Sequence, residues 1–141
     1  MKIKLEMDRD RAIKLMQACE IIARIGMGQF KDMVELLKPE ASWDECVVIE
    51  NYLKAALKPS LTQNSYDSMS SVKCPESTQV AWDAYQHIRR EISWRDAGKD
   101  WRVDPRNFRE MGGVNFDEPF KASKLPGDFK VERVDEPEDC V

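Results

Sequence analysis

The residues of this sequence best placed for chemistry fall into two groups. The first is Arg24-Ile25-Gly26-Met27-Gly28-Gln29-Phe30. Glycines at a break between helices let backbones approach closely, either for packing or for a ligand. The helix that follows such a break presents free amides to an anion, and Arg24 adds charge. Arg24, Gly26, Gly28 and Gln29 are therefore candidate ligand contacts. The competing reading is a tight interhelical bend with Met27 and Phe30 in the core. The second group runs from Arg89-Arg90 to Arg109 and holds Trp94, Arg95, Lys99, Trp101, Arg102 and Arg106. Arginine forks bind phosphates bidentately and indole faces stack on bases, which makes Arg89, Arg90, Trp94, Arg95, Trp101 and Arg102 candidates for holding a small phosphorylated ligand. Asp96, Asp100 and Asp104 are interleaved, so a salt-bridged surface with tryptophans sealing the core edge is the competing reading. A protein–protein hot spot is a third, because tryptophan and arginine are enriched there.

Catalytic signatures are weaker. The single histidine, His87, falls in mid-helix beside the apolar position Ile88, and reads as a helix-flank side chain. Zinc sites need His or Cys in characteristic groups, and Cys19, Cys46, Cys74 and Cys140 include no close pair. Cys19 and Cys46 fall on apolar helix faces, where a thiol acts as a small hydrophobe. Asp44 and Glu45 suit the first turn of a helix. Asp117-Glu118 is the remaining pair for a metal, although adjacent carboxylates in turns are usually solvated. No phosphate-binding glycine loop with the spacing of a nucleotide fold is present. No catalytic residue, metal site or cofactor is expected, and the balance is against an enzyme.

Several elements must position these residues. Lys2–Met7 alternates apolar and charged, the period of a half-buried strand. Asp8 or Asp10 can cap a helix carrying Ala12, Leu15, Met16, Cys19, Ile22, Ala23 and Gly26 at helical spacing. Phe30, Met33, Val34 and Leu37 resume that spacing until Pro39. Ser42 and Glu45 form a capping box for a third helix that ends before Pro59, and its wide apolar surface predicts a central place in the core. The segment 58–75 lacks periodicity and reads as a mobile loop. A fourth helix from Pro75 buries Ala81, Ala84, Tyr85, Ile88 and Ile92, and Gly98 ends it. Beyond it, Asn107–Met111 and Val114–Phe116 flank Gly112-Gly113, a hairpin pattern, and Phe129–Val134 alternates again. The expected fold is α+β, mainly helical with about four helices, and with a small antiparallel sheet from the N-terminal strand and the C-terminal hairpin. One globular domain, 1–134, is followed by an acidic tail, 135–141.

Bulk properties narrow the function classes. A chain of 141 residues suits one domain with one sizeable core. Its formal net charge of −4 argues against DNA binding, which needs a cluster of cations to release counterions. No apolar run approaches the roughly 20 residues of a membrane span, and no signal peptide is visible. The expected compartment is a reducing cytoplasm, that of a host cell if the chain is foreign to it.

The run Ala23-Arg24-Ile25-Gly26-Met27-Gly28-Gln29-Phe30, after an alternating segment and an amphipathic helix, resembles a loose group of small accessory proteins of bacteriophages and mobile elements. In that group an R-I-G-x-G-Q-F run follows the first helix. The resemblance covers about the first quarter of the chain and brings no catalytic residues. It implies a protein that acts on a host component. The functional expectation is a non-enzymatic binding protein that counteracts a host defence component, by sequestering a nucleotide-like signal or by binding a host protein. The alternatives are a small metal-assisted nucleotide hydrolase using Asp117 and Glu118, and a structural homo-oligomer associating through the third helix. Homo-oligomerisation is compatible with all three.

Overall fold

The computed structural model describes residues 1–97, 120–132 and 134, with the backbone alone for 93–97. Four helices lie there, α1 (Arg9–Met27), α2 (Lys31–Leu37), α3 (Trp43–Leu57) and α4 (Glu76–Ala97). Local chemistry sets their ends. Asp8 is extended, and its carboxylate accepts from the Arg11 amide at 2.8 Å, which satisfies a first-turn donor of α1. At the other end Gly28 adopts φ +86°, its amide donates to Ile25 O and the Gln29 amide to Arg24 O. That pair of bonds is a Schellman close, which needs a left-handed residue where Gly28 stands. The Ser42 hydroxyl accepts from the Glu45 amide at 3.2 Å and opens α3. α2 and α3 each stop short of a proline, Pro39 and Pro59.

The core lies between α1 and α4, which pack along each other. Met16 meets Tyr85, Ile88 and Ile92, with Ala12, Ile13, Cys19, Trp82 and Val131 at the edge. A second cluster joins Ala23 and Met27 to Met69, Cys74 and Ala122, again with Trp82 alongside. Between them α1 touches the first turn of α4: a Cβ on Gly26 would come within 3.0 Å of three Thr78 atoms. Glycine at this position is what allows the close approach.

The expected sheet is not found. Among the described residues there is no strand, and the fold is helical rather than α+β. Lys2–Met7 is extended in pattern only: Ile3 is 75% and Leu5 76% exposed, with no strand beside them. Alternation matches a pleat, but a strand also needs a partner ladder for its backbone groups. Residues 129–132 are likewise not in a strand; Val131 simply rests on the core. The expected hairpin at 107–116, the helix end at Gly98 and the tail 135–141 lie outside the described residues.

The third helix also differs from expectation. Instead of sitting centrally, α3 packs on α2 and buries only Cys46 and Lys54. Its apolar surface is wider than α2 can cover. The segment 58–75 has no helix or strand, yet hydrogen bonds tie it to three helices. Asp67 N donates to Met27 O, Gln79 Nε2 donates to Met69 O and Ser71 O, and Lys54 and Lys58 hold it from α3 and its end.

Candidate functional site

The Arg24–Phe30 corner is built from the end of α1, the start of α2 and one turn of α3. The Arg24 guanidinium donates to Glu20 Oε1 from Nε at 3.1 Å and from Nη2 at 2.9 Å. Its Nη1 donates to Gln29 Oε1 at 2.8 Å, and its Nε lies 3.2 Å from Asp32 Oδ2. Glu50 reaches across from α3, and its Oε2 accepts from the amides of both Phe30 and Lys31 at 2.8 Å. The anion expected at the start of α2 is therefore the chain's own carboxylate. These side chains line an open cleft of about 490 Å³ formed by Glu20, Arg24, Gln29, Lys31, Asp32 and Glu50. Three carboxylates face two cations there, so the cleft carries no surplus positive charge for a phosphate. Lys31 Nζ lies 3.3 Å from the centre of the Trp43 ring, a cation–π contact joining α2 to α3.

Behind the cleft lies a buried ammonium. Lys54 is 4% exposed, and its Nζ donates to Thr62 O, Gln63 O and Ser65 O at 3.3, 3.1 and 2.9 Å, with Glu50 Oε1 at 3.5 Å. One carboxylate thus caps α2 with one oxygen and pairs with Lys54 through the other. Burying a charge is tolerable only with such compensation.

Arg89 stands on α4 with its guanidinium 5.6 Å from the Tyr85 ring. Burial pushes the Tyr85 hydroxyl above its ordinary value, the Glu20 charge adds to this, and Arg89 and Arg24 oppose it. Arg24 and Arg89, one from each candidate group, thus both act electrostatically on Tyr85. Arg90 is half-buried on the same helix. Trp94 and Arg95 are placed on the last turns of α4 by backbone alone, and Trp101 and Arg102 lie outside the described residues, as do Asp117 and Glu118. Gly26 and Gly28 are committed to packing against Thr78 and to closing α1.

The other chemical residues have structural partners. His87 Nδ1 lies 2.8 Å from Asp83 O, one turn back, and donates to it. Asp83, 3% exposed, accepts from the amides of Ala122 at 2.7 Å and Ser123 at 3.1 Å, which pins segment 120–132 to α4. Burial raises the Cys19 and Cys74 thiols above their ordinary values; for Cys74, Lys58 pulls down and Asp67 pushes up. Cys74 Sγ donates to Ser68 O. Among the described residues no group of three or more His, Cys, Asp or Glu side chains is arranged to hold a metal, and no helix is long and apolar enough to cross a membrane.

Sequence reasoning did not single out Lys54 or Asp83. Glu50 and Lys54 stand four apart, the spacing of an ordinary solvated ion pair, so only their burial distinguishes them. A different surface also emerges. On the outer side of α3, Val48, Tyr52 and Ala55 follow at helical spacing and are all exposed, as are Leu36 and Leu37 on α2. Compared with known protein families, curated proteins and solved structures, the chain matches none.

Proposed function

We propose that this chain is a non-enzymatic binding protein of phage or mobile-element origin that counteracts a host component by docking on a host protein. The observation that carries this reading is the uncovered outer face of α3, where Tyr52 is 74% and Val48 67% exposed on a helix that buries only two residues. Exposed aromatic and aliphatic side chains at regular spacing are the anchors of helix-in-groove recognition. Asp44, exposed, stands at the start of the same helix, next to Glu45, which pairs with Lys38 at 3.2 Å. The partner that fits offers an apolar groove with a basic rim. Nucleotide sequestration has less support, because the Arg24 charge is already matched by Glu20 and Asp32 and the α2 amides by Glu50.

The test is co-purification of tagged protein from host cells, comparing wild type with the double variant Val48→Asp, Tyr52→Glu, followed by native mass spectrometry of the purified chain. Both positions are exposed, so the helical circular-dichroism signal should be retained. The expected result is a stoichiometric host protein that is lost with the double variant. A nucleotide-sized mass on the chain, or a host protein retained by the double variant, would overturn this reading.

A further inference from the structure

The segment ahead of α1 combines three observations. Lys2–Met7 is exposed, and among the described residues no hydrogen bond or ion pair joins it to the rest of the chain. The residue that follows it, Asp8, is extended, with φ −70° and ψ 168°. Its apolar residues Ile3, Leu5 and Met7 alternate with Lys2, Lys4, Glu6 and Asp8, bases first and acids last. Such a segment leaves a row of backbone donors and acceptors open to another chain.

We infer that segment 2–8 is a self-association strand, which pairs antiparallel with the same segment of a second copy, with Leu5 on the two-fold axis. Charge selects both partner and register. With Leu5 opposite Leu5, Lys4 faces Glu6 and Ile3 faces Met7, while Lys2 falls opposite Asp8, whose carboxylate already caps α1 and pairs with Arg11. Sliding by two residues one way sets Lys4 against Lys4, and the other way sets Glu6 against Glu6. Sliding by one residue sets apolar against charged side chains, because opposed residues share a face. Parallel pairing in register stacks like on like throughout. The interface is isologous, as a closed dimer requires. It differs in place and partner from the α3 face, and neither depends on the other.

A two-stranded ribbon alone is marginal in water, so the association is weak and shows only toward the top of a concentration series. The experiment is sedimentation velocity over a concentration series on the full chain, with Lys4→Glu and Glu6→Lys variants. Each variant alone places like charges opposite each other twice, and should weaken dimerisation by about tenfold or more. An equimolar mixture of the two restores both pairs and should recover the wild-type constant. Both residues are exposed and ahead of α1, so folding is untouched. A wild-type chain that stays monomeric throughout overturns the inference. So does a dimer indifferent to both variants, or a mixture that fails to recover; the first of these leaves the segment free for a sheet edge of another protein.

Discussion

Gly26 decides how closely two helices meet. A methyl group there would invade Thr78 at the first turn of α4, and a gain in helix propensity of up to about 1 kcal/mol cannot offset displacement of a packed helix. Gly26→Ala should destabilise the fold by about 1–3 kcal/mol, the usual range for overpacking, measured as a lower urea midpoint. An unchanged midpoint would mean the two helices give way freely. At this scale the sequence was partly legible. Ser42 declared itself as a cap, and Asp8 stood as one of two choices with Asp10, because a cap depends on neighbours three residues away. The glycines announced a break, but whether they served a ligand or packing depended on Thr78, which lies 52 positions beyond Gly26. Arg24 looked available for an anion, because the carboxylate of Glu20 one turn back and that of Asp32 on the next helix only converge on it once the corner has folded.

Helices act on one another here through single polar side chains. Glu50 caps α2 from α3, and Lys54 holds three carbonyls of the connection that follows. Removing the ammonium leaves the Glu50 charge and those carbonyls without their counterpart. Lys54→Met should therefore cost about 3 kcal/mol, whereas Lys14→Met, on an exposed face of α1, should cost under about 0.5 kcal/mol. Chemical denaturation compares the two; equal, small losses would show that the carbonyl cage adds nothing. Helix positions were readable because period and punctuation are local. The place of α3 was not, since an apolar surface says that a helix wants cover and not which neighbour supplies it. The alternation of Lys2–Met7 misled for the same reason, as an alternating pattern says that a segment suits a strand and not that a partner comes alongside it.

Across the whole molecule, protonated groups are sequestered in the α1–α4 core. Cys19 and Cys74 are raised by burial above an ordinary value of 9.0, and Tyr85 above 10.0. The unfolded chain therefore loses these protons first, and between the ordinary and raised values it binds fewer protons than the native state. Stability is full below pH 9.0 and declines as pH climbs through the raised values. A thermal midpoint that falls steadily through pH 9.0 and 10.0 is expected, and a flat profile would contradict it. The absence of a sheet among the described residues leaves the α1–α4 pair as the organising contact. Asp83 then has a kinetic meaning. Its two oxygens grip amides 39 and 40 positions downstream, so parts of the chain far apart in sequence must meet before the grip is made. The grip also needs the carboxylate already fixed on a formed helix and shielded from water. Docking of segment 120–132 is consequently expected late in assembly, sealing a helical pair already in place, with Asp83→Ala speeding unfolding more than it slows folding.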